Sequence, residues 1–341
     1  MAENKAGHME QPSCASKKFF GMNTEIECKL FGEHAKEAMQ AIQLELHLLE
    51  NLWSRYLPSS DIGKINTAAG KEFVTVAPET FALLSQAKSF SKLSEGVFNV
   101  MVGPLVDLWD YKHAVRPPTR SMVKKVLPLT DPDDLVLTAD SSRVGLRKLG
   151  QSIDVGGIAK GCATDYCVGI LDAYGISSAF INIGGNVVVR GTKPEGNPWK
   201  VGIRHPRKPD SMLGVLDACN TSIVTSGDYE RFFIGPKGKR WHHILDSTTG
   251  YPVQSAFSSV TVVYGNSLVA DALSTLLFMS GIETGLEILS RFPGAEAVFA
   301  DSRLCVLITP NLVSKFHIAE PMELSVVKRK EKNEKHNKKK E

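Results

Sequence analysis

The chain has 341 residues, of which 43% are hydrophobic and 23% are charged, a composition typical of a globular protein with a full core. Its formal charge is +3, but residues 328–341 hold eight Lys/Arg and three Glu, so the remaining residues carry −2. We therefore expect no nucleic-acid partner for the body of the chain. We also expect no membrane association, because no apolar run reaches the roughly 18 residues that span a bilayer.

The ends of the chain differ from its middle. Residues 1–18 are polar and lack the apolar core of a signal peptide, and residues 321–341 are rich in lysine. We expect a disordered leader over 1–18, a single domain over 19–320 and a disordered basic tail over 321–341. The six cysteines show neither CxxC nor zinc spacing, which favours reduced, buried thiols and a cytoplasmic location.

The first half of the sequence predicts mainly helices. An alternating strand is expected at 24–31, and apolar residues at intervals of three or four then predict a long helix over Ala35–Trp53. A polar loop is expected over 54–66 and a second helix over about 79–93. One short basic helix is expected between 111 and 134.

The second half predicts hairpins around a central strand and helix. A hairpin over 135–146 leads to a β-branched strand at Ile153 that ends in Asp154, and an amphipathic helix over Ala163–Tyr174 follows. Further strands are expected at 179–189 around a glycine pair, at 199–203, within 221–245, and at 258–264, 296–300 and 303–309, with helices at 267–279 and 282–291. This order predicts an α+β fold with mixed, largely antiparallel sheets flanked by helices.

Two glycines stand between the central strand and its helix. Gly156, Gly157 and the nearby Lys160 would let backbone amides, a helix N-terminus and an ammonium group approach a phosphate. Glycines at such a turn serve packing more often than phosphate binding. Their spacing also matches neither the dinucleotide fingerprint nor the nucleoside-triphosphate loop.

A later helix carries three oxygen side chains on one face. Asp271, Ser274 and Thr275 stand at i, i+3 and i+4, an arrangement that suits a hard cation such as Mg²⁺. A polar face with an internal hydrogen bond is the commoner explanation for such a pattern. His242 and His243 alternate across a predicted strand, so at most one would face a cleft, where it could accept a proton from a hydroxyl nucleophile. An isolated histidine is more often structural.

Several segments gain meaning from their order along the chain. They are Phe20-Gly21-Met22-Asn23-Thr24, Ser54-Arg55-Tyr56, Ser60-Asp61-Ile62 with Ile65-Asn66, Gly96-Val97-Phe98-Asn99, 102–109, 153–161, Asn182-Ile183-Gly184-Gly185-Asn186, 199–203, 225–231, 242–252 and 270–275. Together they resemble the flavin transferase family often called ApbE, the FAD:protein FMN transferases. The resemblance extends over about residues 19–310.

The resemblance implies that FAD is the substrate and Mg²⁺ the cofactor. The family reaction moves FMN from FAD onto a Ser or Thr hydroxyl in a motif of an acceptor protein and releases AMP. Flavin contacts would fall on Met22, Tyr56, Val97, Phe98, Asn99, Asp154, Lys160 and Ile244. Metal ligands would fall on the Gly157 carbonyl, Asp271 and Thr275, with Ser274 at a position that is acidic in some members.

The family's histidine falls on His243, which we expect to take the hydroxyl proton. Asp246 is expected to orient His243, or less favourably to act as the base itself. The sequence departs from the family at Asn23, usually glycine, at Asn99, usually aspartate, at Val100-Met101, usually Pro-Thr, and at Ser247, usually proline. An FAD pyrophosphatase that gives FMN and AMP, and a flavin-binding protein without turnover, remain alternatives.

Overall fold

The computed structural model describes residues 13–303, 305–319 and 322–327. Its α-helices are α1 (Ala35–Trp53), α2 (Asp61–Ala68), α3 (Pro78–Leu93), α4 (Gly103–Trp109), α5 (Arg120–Val126), α6 (Ala159–Ala173), α7 (Ser267–Ser280) and α8 (Ile282–Leu289). Its strands are β1 (Cys14–Gly21), β2 (Thr24–Phe31), β3 (Val74–Thr75), β4 (Leu135–Thr138), β5 (Arg143–Leu146), β6 (Ser178–Ile183), β7 (Asn186–Arg190), β8 (Trp199–Arg204), β9 (Met212–Ala218), β10 (Thr221–Gly227), β11 (Phe232–Ile234), β12 (Arg240–His242), β13 (Leu245–Asp246), β14 (Tyr251–Pro252), β15 (Phe257–Tyr264), β16 (Glu296–Asp301), β17 (Val306–Ile308), β18 (Phe316–Ile318) and β19 (Leu324–Val326).

A nine-stranded sheet organises the described chain, in the order β1-β2-β6-β7-β10-β15-β16-β17-β19. All of its neighbouring pairs are antiparallel except β17 and β19. A three-stranded sheet, β18-β9-β8, lies beside it. The fold is therefore α+β with largely antiparallel sheets, as the sequence predicts.

The large sheet separates two apolar cores because its side chains alternate between faces. On β7, Val188 packs into the core formed with α1, α6 and α7. Its neighbours Val187 and Val189 face the opposite core, which the three-stranded sheet closes with Trp199 and Val201. Helices thus cover one face of the large sheet and a small sheet covers the other.

Regular periodicity allowed the long elements to be predicted well. The predicted helix over Ala35–Trp53 is α1 with the same bounds, and its buried residues recur at intervals of three or four. The hairpin predicted over 135–146 is the pair β4 and β5, and the strands predicted around the glycine pair are β6 and β7. Asn266 caps α7 by accepting the Val269 N–H at 2.9 Å.

Three local predictions were wrong. The polar loop expected over 54–66 contains α2, which begins after Ser60, whose hydroxyl accepts the Gly63 N–H at 2.8 Å. The strand expected at Ile153 does not form, because the Asn66 side chain takes both the N–H and the carbonyl of Ile153. Helix α6 begins at Ala159, four residues before the expected start.

The expected ends of the domain also need correction. Strand β1 begins at Cys14, inside the leader predicted to be disordered, because its backbone pairs with β2 from Cys14 opposite Phe31 onward. Strand β19 lies inside the predicted tail and pairs with β17. Residues 1–12 and 328–341, which make up most of both predicted ends, lie outside the described residues. The single domain over 19–320 stays a prediction.

Two further features bear on the sequence-based expectations. None of the helices in residues 13–303, 305–319 and 322–327 is long and apolar enough to cross a membrane. Cys28, Cys162 and Cys167 are buried, as expected, and burial raises the pKa of the Cys28 and Cys162 thiols to about 12. Cys14 and Cys219 are instead exposed.

Candidate active site

The centre of the candidate site is the contact between the first turn of α6 and the first half of α7. The Gly161 N–H donates to Oδ2 of Asp271 at 2.9 Å. A Cβ atom at Gly161 would lie 2.6 Å from Cβ of Asp271, so only glycine allows this approach. Asp165, one turn further along α6, caps α7 by accepting the N–H groups of Ser267 and Leu268. The Gly161 N–H thus fixes the carboxylate of Asp271, and Asp165 ties the start of α7 to α6.

A directed chain of hydroxyl groups runs along α7. Ser274 donates to the backbone carbonyl of Asp271 at 2.9 Å, so its oxygen accepts from Ser226, 2.8 Å away. The Ser226 oxygen in turn lies 3.1 Å from Oγ1 of Thr275, which must donate to it. This order leaves the lone pairs of Thr275 available to a ligand. The sequence analysis includes Ser226 in one of the ordered segments, 225–231, but assigns it no role.

The turn before α6 meets the same face of α7. A Cβ atom at Gly157 would lie 3.9 Å from Oγ1 of Thr275 and 3.6 Å from the ring of Phe98. Oδ1 of Asp154 accepts the Gly156 N–H at 2.8 Å and so shapes the turn. Gly157 and Thr275, which the resemblance assigns to one metal site, are therefore neighbours in the structure although they are far apart in the chain.

Lys160 brings positive charge to this turn. Its ammonium group donates to the Gly156 carbonyl at 3.0 Å and lies 3.9 Å from Oδ2 of Asp271. The N-terminal end of α6, a helix of 15 residues, adds the partial positive charge of the helix dipole at the same place. The positive charges of Lys160 and of the helix end would allow an anion to bind next to the Asp271 carboxylate.

The donor set fits a hard cation such as Mg²⁺. Asp271 supplies a carboxylate whose Oδ1 has no hydrogen bond among the described residues, and Thr275 supplies free lone pairs. The Gly157 carbonyl and the Ser274 hydroxyl are further oxygens nearby, although Ser274 is already bonded on two sides. No group of three or more His, Cys, Asp or Glu side chains within the described ranges is arranged to hold a metal. A cation here would therefore depend on one carboxylate, neutral oxygens and oxygens of a bound substrate.

Arg55 is a site residue that the sequence analysis did not assign. Its side chain is only 9% exposed, and it bridges two carboxylates. Nη1 lies 3.3 Å from Oδ2 of Asp154, and Nη2 lies 2.8 Å from Oδ2 of Asp107 and 3.3 Å from the Gly103 carbonyl. Arg55 thus holds Asp154 in place while Asp154 shapes the turn at Gly156.

Tyr56 lies beside this ion pair on the surface. It is 63% exposed, with Lys112 Nζ 5.3 Å and Arg55 Cζ 5.7 Å from the ring centroid. An exposed ring between cations is a suitable surface for stacking an aromatic ligand. The structure thus leaves Tyr56 free for the flavin contact that the resemblance implies.

Met22 and Asn23 form the two-residue turn between β1 and β2. Both have positive φ angles, 53° and 58°, as a type I′ hairpin requires. Asparagine tolerates this conformation better than other residues that carry a Cβ. The departure from the usual glycine at Asn23 therefore keeps the turn, and Met22 remains partly buried against the main core.

The segment of Val97, Phe98 and Asn99 forms another wall. Phe98 is buried, and its N–H donates to Ser94 Oγ at 2.9 Å. The Asn99 side chain donates to the Thr130 carbonyl at 2.7 Å and accepts the Met101 N–H at 2.8 Å. Asn99 therefore stabilises its own loop, and asparagine can do this where the family usually has aspartate.

The two adjacent histidines have different surroundings. His242 is buried, with Nε2 3.0 Å from the Val253 carbonyl and its ring edge-on to Phe278. His243 is only half-buried, and its Nδ1 lies 3.2 Å from the Arg231 carbonyl. A carbonyl can only accept, so Nδ1 carries the proton and Nε2 is free to accept one.

His243 is held neutral. Burial of the ring lowers its pKa to about 3, and the nearby positive charges of Arg231 and Lys160 lower it further. A neutral imidazole with Nε2 free is the form that can take a proton from a hydroxyl. His242 has a lowered pKa for the same main reason, burial, but both of its ring nitrogens are used within the protein.

Asp246 does not orient His243, contrary to the sequence-based expectation. It accepts hydrogen bonds from the backbone N–H and hydroxyl of Thr248, at 2.8 and 2.6 Å, and from the Thr249 hydroxyl at 3.0 Å. Burial raises the pKa of Asp246, but these bonds outweigh it and hold the pKa below its usual value. The carboxylate organises its own turn, and the Arg231 carbonyl orients His243.

Two other residues of this region are placed by backbone contacts. Ile244 is buried, and its carbonyl accepts the Val253 N–H at 3.0 Å. Ser247 donates to the Gly96 carbonyl at 3.3 Å, which ties the turn after Asp246 to the loop that carries Val97. Direct contacts thus unite seven of the predicted site residues, namely Asp154, Gly157, Lys160, Asp271, Ser274, Thr275 and Phe98. Five others lie on separate segments around them, namely Met22, Tyr56, His243, Ile244 and Asp246.

Comparison with known proteins gives a consistent result. The model of the ApbE family matches residues 22–299. A relative from Klebsiella pneumoniae (strain 342), named FAD:protein FMN transferase, is 35% identical over 292 residues, covering 84% of this chain and 89% of its own. A relative of the same name from Treponema pallidum (strain Nichols) is 35% identical over 282 residues, covering 77% of this chain and 76% of its own.

Solved structures show the same fold. The crystal structure of the ApbE protein from Thermotoga maritima has a TM-score of 0.78 at 30% identity and covers 86% of this chain and 96% of its own. The flavin transferase ApbE from Vibrio cholerae has a TM-score of 0.76 at 26% identity, with 85% and 94% covered. The family resemblance read from the ordered motifs is therefore confirmed.

Proposed function

The chain belongs to the ApbE family, and from this we infer that it is an FAD:protein FMN transferase. We propose that it depends on Mg²⁺ and attaches FMN through a phosphoester bond to a Ser or Thr hydroxyl in a motif of an acceptor protein. The hydroxyl oxygen would bond to the FMN phosphorus of FAD as the diphosphate bridge breaks. AMP leaves with the bridging oxygen, and the hydroxyl proton is taken by the enzyme.

One observation carries the proposal: the directed hydroxyl chain that ends at Asp271. Because Thr275 donates to Ser226 and Ser226 to Ser274, the oxygen of Thr275 keeps free lone pairs. Oδ1 of Asp271 is also free, because the Gly161 N–H bonds to Oδ2. The Thr275 oxygen stands beside the Gly157 turn. Bound there, Mg²⁺ would neutralise the charge that builds on the departing phosphate. A purely structural polar face would have no need to leave two oxygens unused.

The remaining residues have roles that follow from their charges. Lys160 and the partial positive charge at the start of α6 would hold the diphosphate. Asp154, fixed by Arg55, would keep the turn at Gly156 open for it. The surrounding loops with Met22, Tyr56, Phe98 and Ile244 would hold the flavin.

His243 is the residue that we propose takes the hydroxyl proton. Its Nδ1 is committed to the Arg231 carbonyl, so the proton would go to Nε2. Asp246 is the weaker candidate, because its oxygens accept three hydrogen bonds from its own turn.

We propose a cytoplasmic site of action, which the lack of any disulfide among the described cysteines supports. The acceptor would then be a cytoplasmic protein. Release of a mature chain from an exported precursor would contradict this part of the proposal.

The function is tested by incubating the protein with FAD and Mg²⁺ and measuring AMP. The reaction is run with and without acceptors of ApbE enzymes, and free FMN is quantified in parallel. AMP that forms only when an acceptor is present supports transfer. AMP with an equal amount of free FMN identifies a pyrophosphatase instead, and bound FAD without AMP identifies a flavin-binding protein.

A further inference from the structure

The segment 111–130, which follows α4 and contains α5, carries positive charge without any opposing charge. It holds five Lys/Arg and no Asp/Glu. The five cations are Lys112, Arg116, Arg120, Lys124 and Lys125, and all are exposed. None of them forms an ion pair with any residue for which the structure gives a position. We refer to residues 111–130 as the basic segment.

The basic segment contrasts with the rest of the protein. The formal charge of the chain is +3, and the basic segment and residues 328–341 contribute +5 each, so all other residues together carry −7. The basic segment is therefore a run of uncompensated positive charge on a chain whose other described residues are acidic in sum. Such segregation attracts and orients a partner of opposite charge.

The basic segment borders the candidate active site on two sides. At one side, Lys112 Nζ lies 5.3 Å from the centroid of the exposed Tyr56 ring. At the other, the buried Val123 of α5 packs against Gly250, at the end of the turn that Asp246 organises. Thr119 caps α5 by accepting the Met122 N–H at 3.3 Å. The position of the cations relative to the site is thus fixed by packing.

We propose that the basic segment docks an acidic stretch of the acceptor protein next to the Ser or Thr that receives FMN. The proposal rests on the transferase function inferred above. Val115 and Met122, 75% and 47% exposed, lie among the cations and would add apolar contact at the centre of such an interface.

FAD itself is a weaker candidate for this surface. Its two phosphates are already assigned to Lys160 and to the positive end of α6. The acceptor hydroxyl, in contrast, must reach the site from solvent, and the protein that carries it must rest on the rim. The basic segment is a positively charged part of that rim.

The test measures peptide binding, so that it does not depend on turnover. A labelled peptide with one Thr flanked by Asp and Glu is compared with a counterpart that has Asn and Gln at the same positions. Fluorescence anisotropy gives both dissociation constants at low and at raised salt. We expect tighter binding of the acidic peptide and a loss of this preference as salt screens the charges.

Charge variants locate the binding surface. In the variant Arg120→Glu, Lys124→Glu and Lys125→Glu, we expect affinity for the acidic peptide to fall about tenfold, because attraction becomes repulsion. The control reverses Lys36, Lys208 and Lys315, three exposed lysines outside the basic segment that have no ion pairs among the described residues. It should change the affinity for the acidic peptide by less than about twofold. If the first variant does not fold, Lys112→Gln with Arg116→Gln tests the same surface outside α5.

Three results would overturn the proposal. Equal affinity for the two peptides would remove the charge preference. An equal loss in the control variant would remove the location. A rise in the FAD dissociation constant of the α5 variant, with peptide binding unchanged, would assign the cations to FAD. Failure of the transferase proposal is seen separately, as absence of AMP from the wild-type protein.

Discussion

The Gly161 N–H donates to Oδ2 of Asp271 at 2.9 Å, so the start of α6 orients the carboxylate that we assign to the metal. This bond leaves Oδ1 directed elsewhere, with no hydrogen bond among the described residues. Packing between two helices therefore determines which oxygen of Asp271 is available. The following predictions test the site that this contact organises.

Replacing Asp271 by asparagine should separate the metal role from the fold. Asparagine keeps an oxygen that can accept the Gly161 N–H but removes the negative charge. We expect the rate of AMP formation to fall by about 10²-fold or more, with the thermal unfolding midpoint little changed. Turnover at the wild-type rate in ordinary Mg²⁺ would refute the metal assignment.

Removing the Ser226 hydroxyl should weaken Mg²⁺ binding without abolishing it. In Ser226→Ala, Thr275 loses the acceptor that orients its proton, so its lone pairs are no longer held toward the site. We expect the apparent dissociation constant for Mg²⁺, measured through FAD binding, to rise about 10-fold. A change of this size is typical when a residue that orients a metal ligand is removed. The control is Ser85→Ala, which removes a hydroxyl that donates to the Phe81 carbonyl within α3. An unchanged dissociation constant for Mg²⁺ in Ser226→Ala would argue against the directed hydroxyl chain.

Two glycines of α6 should respond oppositely to alanine. A Cβ at Gly161 meets the backbone of Ser267 and the side chain of Asp271, so Gly161→Ala should destabilise the protein by about 1–3 kcal/mol. Gly169 is exposed in the same helix with nothing near its Cβ, so Gly169→Ala should stabilise it by about 0.5–1 kcal/mol. Urea unfolding measures both. Equal effects would mean that α6 and α7 are further apart than described.

The pH profile should reveal that His243 is neutral. Since its pKa is lowered to about 3 from 6.5, kcat/KM should show no decline with a midpoint near 6.5 as the pH falls. The same shift predicts a stability effect. The folded state binds its proton only near pH 3, so the free energy of unfolding should fall as pH drops below 6.5, where the unfolded chain takes up the proton first.

The role of His243 can be tested by substitution at constant pH. We expect His243→Gln to lower FMN transfer by about 10²–10⁴-fold, the usual contribution of a general base. His317 is exposed and pairs with Asp217 at 3.0 Å in the small sheet, so His317→Gln should leave transfer unchanged. Full transfer by His243→Gln would move the proton acceptor to another residue.

The turn of Met22 and Asn23 gives a prediction for stability. At a φ of 58°, Asn23→Gly should be close to neutral, whereas Asn23→Val should cost about 1–2 kcal/mol because a β-branched residue is strained there. Thermal unfolding measures the difference. Equal stability of the two variants would contradict the described turn.

The sequence predicted those features that depend on local periodicity. Helix α1 was placed with its full bounds because seven buried residues recur along one face. The face of Asp271 and Thr275 was found for the same reason, since residues four apart on a helix are neighbours. The ordered motifs identified the family, but they assigned roles only to residues that the family already marks.

Residues that act through distant contacts were not found. Arg55 meets Asp154 across 99 residues of sequence, and Ser226 meets Ser274 across 48. Neither contact has a local pattern that reveals it. The strand predicted at Ile153 was wrong for a similar reason. Its β-branched residues favour a strand, but the distant Asn66 side chain takes the hydrogen bonds that a neighbouring strand would need.

The most direct test is the intact mass of an acceptor protein after incubation with this enzyme, FAD and Mg²⁺, with AMP measured in the same sample. The account predicts one FMN added per AMP released, at a Ser or Thr, and no addition with Asp271→Asn. AMP released without any gain in acceptor mass, across acceptors that other ApbE enzymes modify, would contradict it.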